Sequence, residues 1–526
     1  MLKDLKEYFE LLFNYMRGSY LSISSAILLG IVAHVSALVI PFITRFLIDV
    51  VIGQRYYEYF KYILLISLVL LLVLLLTSLS SNYLFFKFFG RAAINLKMDI
   101  FKNLQFAPLE FYGKTPSGGI SYRLLSDAQL IANSWMDCSA TIPLHSIFFI
   151  AVIFMFRWHK ELALFVSIIL ILQIIIIAKF RKPLLLYSYR VKEKNQEVLG
   201  YTVEHFSKIQ LVRSLNTERK EQDKFLGKLS ELLRTSLRAF MINRFSSTIS
   251  LVVNNLWALG ILWYGGMQVV NGGITLGTLI AFLIFANILY QPISVLATFV
   301  LSFQDIRASL RRALEYKEIK PKIVELKDAI EFTPSNGKIL IKDCSFGYYE
   351  DMIIKGINLE IPPQSIFALV GQSGAGKTTL CRLLVRFYDP QKGQILLDGK
   401  DIRKISLSSL RKSVLLTLQN EYVFSGTVIE NVTYGSEGMD KKRVLIALKR
   451  AAIDFIDKLP CGVYTKIGPD GMNVSAGEAQ RIALARAFLL SPKVFILDEP
   501  TSFIDCETEN KIKLSLQELR KQSTII

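Results

Sequence analysis

Residues 62–86 and 245–304 contain no Asp, Glu, Lys or Arg, in a chain that elsewhere carries 62 Lys and Arg against 44 Asp and Glu. As a helix, the shorter run alone would rise about 37 Å at roughly 1.5 Å per residue, more than the roughly 30 Å hydrocarbon layer of a bilayer. A wholly soluble fold is excluded, and so is a disordered chain. Whole-chain composition hides this segregation. At 52% hydrophobic and 20% charged residues, the averages lie only slightly away from the roughly 45–50% and 25% of soluble domains.

With roughly 17–25 apolar residues as the criterion for a span, six are expected, at about 20–44, 62–86, 138–156, 162–178, 247–270 and 279–303. Asn271-Gly272-Gly273 is a turn signal between the last two, and Arg157-Trp158-His159-Lys160 makes a tight hairpin between the third and fourth. The connections after spans two and four are long and basic, with Lys87, Arg91, Lys97, Arg181, Lys182 and Arg190 among their cations. The positive-inside bias therefore predicts a multi-pass protein of the cell membrane with both termini cytoplasmic. It also accounts for much of the +18 net charge through the lipid bilayer as partner, without nucleic acid. Both long connections favour helix; Phe225, Leu229, Leu232 and Leu233 repeat at helical spacing. Two arms of roughly 20 residues, about 30 Å long, are expected, with tips near 112–119 and 214–218. Tyr8, Phe9, Leu12 and Phe13 suit either a helix on the membrane surface or an ordinary amphipathic lead-in helix. His34, His145, Gln173, Asn254, Asn255 and Asn287 are polar groups within spans, candidates for a transport path or for interhelical hydrogen bonds. Pro41, Pro143 and Pro292 could kink their helices. The five cysteines show no CxxC spacing and predict no disulfide framework.

The organisation expected is an all-α, six-span transmembrane domain over 1–304, a charged cytoplasmic helix and linker over 305–337, and an α/β P-loop ATPase domain over 338–526. In the last of these, Gly371-Gln372-Ser373-Gly374-Ala375-Gly376-Lys377-Thr378 lies between a predicted strand at 366–370 and a helical stretch. That is the P-loop context: backbone N–H groups and a helix N-terminus face the phosphates of ATP, Lys377 neutralises the β- and γ-phosphates, and Thr378 ligates Mg²⁺. A second apolar strand delivers Asp498 and Glu499 at its end. A buried strand has no structural use for adjacent carboxylates. Asp498 is the candidate Mg²⁺ ligand through water, and Glu499 the candidate catalytic base for the water that attacks the γ-phosphate.

Between these motifs, Val474-Ser475-Ala476-Gly477-Glu478-Ala479-Gln480-Arg481 resembles the signature segment, usually written LSGGQ, of the ATP-binding-cassette (ABC) transporters. With six spans ahead of it, the chain resembles a half-transporter of the exporter type. The resemblance implies ATP-driven transport of an unidentified small molecule, lipid or peptide, most often export, with a second half-transporter as partner in a homo- or heterodimer. A non-transporting regulatory subunit and an importer with an exporter-like fold remain as alternatives. It further implies that Tyr348 stacks on adenine, with Tyr349 as a substitute, and that Gln419 contacts Mg²⁺ and takes part in catalysis with Lys377. Thr379 joins the P-loop residues at the nucleotide. Ser475, Gly477 and Glu478 face the nucleotide held by the opposite subunit. The segment Ser502-Phe503-Ile504-Asp505 crosses toward that partner, and the two tips correspond to coupling helices.

Three departures from the family pattern stand out. Ala476 replaces a signature glycine, at little cost if its φ is negative. Pro469 stands where exporters of this kind carry a glutamate. The family's switch histidine would follow the strand that begins at Ser523-Thr524-Ile525-Ile526, yet all four histidines, His34, His145, His159 and His205, precede the linker. The expectation is a fragment of a longer protein with an incomplete cassette.

Overall fold

The computed structural model describes residues 2–115, 117–348, 351–372, 374–417, 423–436, 440–468 and 471–526. It forms two units, one of 1–105 with 115–319 and the other of 106–114 with 320–526.

The first unit is helical. Its main elements are α1 (Leu2–Met16), α2 (Tyr20–Phe46), α3 (Phe60–Gln105), α4 (Ala128–Trp158), α5 (Lys160–Ser207), α6 (Glu218–Val270) and α7 (Leu276–Lys317). Among the described residues, five helical segments are long and apolar enough to cross a membrane: Tyr20–Ile52, Tyr57–Gln105, Gly119–Trp158, Lys160–Ser207 and Glu218–Val270. The apolar part of α7 described by its side chains, Leu276–Leu289, is shorter. Helices α3, α5 and α6 run for 46, 48 and 53 residues, about 70–80 Å and more than twice the hydrocarbon thickness. Each of these apolar runs and the charged stretch beside it thus form one continuous helix, because only polarity changes at their junctions while helix propensity persists. Where the apolar stretch ends, ion pairs take over: Lys194 Nζ on α5 lies 3.0 Å from Glu197 Oε2 and 3.1 Å from Glu231 Oε2 on α6. Between α5 and α6 lies the short helix Ile209–Ser214, which meets the tip expected at 214–218 only at its last residue.

The unit's core packs Trp257, Ile261, Phe282, Phe285 and Met155, whereas Leu64, Leu68 and Leu79 on α3 face outward at 60% exposure or more, as a lipid-facing surface requires. Asp49, beyond α2, accepts from Gly277 N at 2.8 Å and Thr275 Oγ1 at 2.5 Å, so it satisfies the first turn of α7. The lead-in helix divides its aromatic residues between two faces. Tyr8 is fully buried, hydrogen-bonded to Ser134 Oγ at 3.0 Å and packed on Trp135, and Leu12 is buried beside it. Phe9 and Phe13 are exposed. Helical geometry separates positions 8 and 12 from 9 and 13 by about 100°.

In the second unit, an antiparallel sheet is ordered β2-β1-β3-β4 from β1 (Ile339–Phe346), β2 (Ile354–Ile361), β3 (Lys392–Leu397) and β4 (Lys400–Asp401). A parallel sheet joins β5 (Val414–Thr417), β6 (Val494–Leu497) and β7 (Thr524–Ile525), with Val414 opposite Val494 and Val494 opposite Thr524. The strand expected at 366–370 reduces to a parallel bridge between Ile366 and Ile525 and a hydrogen bond from Phe367 N to Ile525 O. Leu369 and Val370 lie outside the strands of this sheet. The short helix Leu109–Lys114, which overlaps the tip expected at 112–119 only at its end, belongs to this unit, where Glu110 Oε1 accepts from Lys322 Nζ at 2.8 Å.

Candidate nucleotide-binding site

In a parallel sheet every strand delivers its last residue to the same edge, and ligands bind outside that edge. Here the edge receives the loop after Ile366, the turn after β6 and the end of β5, whose Thr417 lies opposite Leu497. The P-loop and the acid pair are therefore neighbours by topology, although more than a hundred residues separate them.

The loop closes onto helix α8 (Lys377–Leu384). Gly374 and Gly376 adopt φ of +83° and +90°, values that strain any residue with a Cβ; these two glycines allow the turn. Gly371, Gln372 and Ala375 are exposed along it. Lys377 Nζ donates to Gly371 O at 2.8 Å and Gln372 O at 3.0 Å, bracing the loop from within. Thr378 is half-buried, and Thr379 is buried with its hydroxyl against that of Tyr348 at 3.4 Å. Arg382 Nη1 also donates to the Tyr348 hydroxyl at 3.2 Å, and the Tyr348 ring meets Phe346 and Tyr388 edge-on. Tyr348 is thus anchored on the P-loop helix. Asp498 is half-buried, and its backbone N–H donates to Thr417 O at 3.2 Å. Glu499 is exposed with φ +51°. Ser373, Gln419, Tyr349 and Pro469 lie outside the described residues.

Cys381, on the buried face of α8, reports on this arrangement. Burial, reinforced by the nearby Asp498 charge, pushes its thiol up to about 12. At neutral pH it stays protonated and unreactive. Brief N-ethylmaleimide treatment at pH 7.5 should therefore modify the exposed Cys461 and Cys506 and spare Cys381 and the buried Cys344. Peptide mass spectrometry would read the pattern, and labelling of Cys381 at a rate similar to Cys461 would contradict this packing.

The signature segment starts helix α9 (Ala476–Leu490). Ser475 is the N-cap: its Oγ accepts from Glu478 N at 3.3 Å, while Glu478 Oε2 accepts from Ser475 N at 2.7 Å and Ser475 Oγ at 2.9 Å. This capping box fixes the first turn. Ala476 is absent from the positive-φ residues, so its methyl group is accommodated without strain. Gly477 packs so closely that a Cβ would lie 2.5 Å from Phe503 O. One turn on stands Gln480, 3% exposed, a residue to which the signature resemblance assigns no role. A buried glutamine within an Ala- and Leu-rich helix is a signal by its polarity alone.

Together these features define a membrane-bound P-loop nucleotide-binding protein. The family model described as the ABC transporter transmembrane region matches residues 23–293, and the one described as ABC transporter matches 354–502. The chain is 34% identical, over 83% of its length and 73% of the relative's, to an ATP-dependent lipid A-core flippase of Syntrophus aciditrophicus. It is 28% identical, over 83% of its length and 75% of the relative's, to a multidrug resistance ABC transporter ATP-binding and permease protein of Lactococcus lactis. In fold it resembles a bacterial Atm1-family ABC exporter with ATP bound, with a TM-score of 0.82 at 22% identity over 96% of this chain and 90% of that one. The chain belongs to the ABC transporter family: it is an ATP-binding, ATP-hydrolysing multi-pass membrane transporter with the exporter fold.

Proposed function

We propose that two copies of this half-transporter, or this chain with a similar partner, use ATP to move a lipid-like amphiphile from the cytoplasmic side of the membrane outward. The carrying observation is the single sheet edge that gathers the P-loop and the strand-end acids in a chain fused to a polytopic helical unit. Cargo class and direction rest on the likeness to lipid A-core flippases and a multidrug transporter. The basic connections 87–137 and 179–246 support cytoplasmic cassettes and termini.

In this reading backbone N–H groups of the P-loop and Lys377 hold the β- and γ-phosphates, and Tyr348 lies against the adenine. Thr378 and Asp498 offer a hydroxyl and a carboxylate, the hard oxygen donors that Mg²⁺ takes. No cluster of three His, Cys, Asp or Glu occurs among the described residues, so a cation there would complete its shell with phosphate oxygens and water, a habit of Mg²⁺. Bound there with Gln419 as a further ligand, Mg²⁺ would neutralise developing phosphate charge. Glu499 accepts the proton of the attacking water. Ser475 and Gly477 of one chain close on the ATP of the other, with Glu478 holding Ser475 in place.

Reconstitution tests the reading. Proteoliposomes with Mg-ATP outside should flip a fluorescent phospholipid analogue, read by dithionite quenching, and should leave a hydrophilic dye of similar size unmoved. ATP hydrolysis without ATP-dependent movement of any amphiphile would overturn the assignment of cargo.

A further inference from the structure

The turn that carries Glu499 is strained. A glutamate at φ +51° occupies the left-handed region, which L-residues other than Asn and Asp rarely visit. The next residue is Pro500, whose ring further restricts the residue before it. Such a conformation persists only where the surroundings over-determine it.

The surroundings are one face of helix α9. Gln480 Nε2 donates to the backbone oxygen of Glu499 at 2.8 Å. On its other side Gln480 Oε1 accepts from Phe503 N at 3.4 Å. A single buried carboxamide thus spans the turn 499–503 from first residue to last. Gly477 stands three residues before Gln480, on the same helical face, and its missing Cβ lets Phe503 O reach the helix. Ser502 Oγ adds a weaker bond to Glu499 O at 3.3 Å.

We propose that Gln480 is the positioning residue for Glu499, its carboxamide clamping the strained turn to the signature helix so that the carboxylate is held at the sheet edge. The inference rests on the reading of Glu499 as the base. It has a consequence for the dimer. Glu499 serves the ATP on its own P-loop, whereas Ser475 and Gly477 of the same chain serve the other ATP. Gln480 is the side chain through which a shift of the signature face at one nucleotide reaches the catalytic carboxylate at the other.

The test compares full-length Gln480→Ala, Gln480→Glu and Glu499→Gln proteins. Gln480→Glu keeps volume and the acceptor for Phe503 N–H but its carboxylate cannot donate to Glu499 O, so it addresses the clamp even where the alanine variant fails to fold. Both Gln480 variants should lose about 10- to 100-fold in kcat for ATP, the penalty of a base misplaced by about an ångström. KM for ATP should stay within about twofold. A merely structural role would instead lower melting temperature and yield and leave the kcat of folded protein intact. Adding Gln480→Glu to Glu499→Gln should cost nothing more, since both act through one carboxylate. A kcat within twofold of wild type for Gln480→Glu, or additive losses in the double variant, would overturn the proposal. Full activity of Glu499→Gln would instead strike the assignment of the base, a separable outcome.

Discussion

Replacing Glu499 with Gln in the full-length protein is expected to lower steady-state ATP turnover by about 10²- to 10⁴-fold, the usual worth of a positioned general base, while ATP still binds. The two side chains have the same length and both accept hydrogen bonds, so the turn at φ +51° should survive the change. What is lost is the ability to take a proton. Binding relies on other groups: the P-loop N–H array at the head of α8, Lys377 and the Tyr348 ring. The variant should therefore retain ATP through gel filtration or filter washing while releasing little phosphate. Lys377→Ala would show the opposite pattern, with weak retention, because it removes the point charge that also braces Gly371 and Gln372. Turnover by Glu499→Gln at the wild-type rate would remove Glu499 from the role of base. The expected size also separates base from clamp: loss of the proton acceptor should exceed the 10- to 100-fold expected for Gln480.

The sequence made the site legible where chemistry demands a residue type at a fixed spacing. Gly374 and Gly376 are glycines because the loop needs positive φ twice, and that requirement is readable without coordinates. Asp498 and Glu499 are legible because adjacent carboxylates at the end of an apolar strand lack any packing purpose. The Ser475 and Glu478 spacing is that of a capping box, a local motif. Gln480 is legible only as a polar residue in an Ala- and Leu-rich helix; its value lies in a contact with a turn nineteen residues away, which periodicity cannot encode. The long helices were legible only in part. Apolar runs mark where a helix meets lipid, not where the helix ends, and α5 continues for 48 residues through Pro183. The strand at 366–370 failed for the opposite reason. Ile366, Phe367 and Val370 have the propensity, but a parallel strand exists only beside a partner.

The second large effect is expected away from the nucleotide. Asp127, whose side chain is 3% exposed, accepts from Arg312 Nε at 2.7 Å, from Arg312 Nη2 at 2.7 Å and from Ser309 Oγ at 2.9 Å. The pair joins the residue before α4 to the last turns of α7, six residues before Glu318, where the helix ends. The two partners are not equivalent, since Arg312 is 36% exposed. Arg312→Ala would strand a carboxylate in the interior with one hydroxyl donor, a fault that costs about 3–5 kcal/mol. Asp127→Ala would leave a guanidinium that is already partly exposed and still donates to Ser309 Oγ at 3.1 Å, and the loss should approach the roughly 1.5–3 kcal/mol of a charged hydrogen bond. The stability order expected in detergent is therefore wild type, then Asp127→Ala, then Arg312→Ala. In the Arg312→Ala background, adding Asp127→Asn should restore part of the loss, because it removes the buried charge that causes it. Thermal unfolding followed by tryptophan fluorescence, with limited proteolysis as a second readout, measures all four proteins. Equal and mild losses in both single variants would show that water or another donor reaches Asp127 once Arg312 is gone, and would end the claim that this ion pair is what fixes α7 against the start of α4.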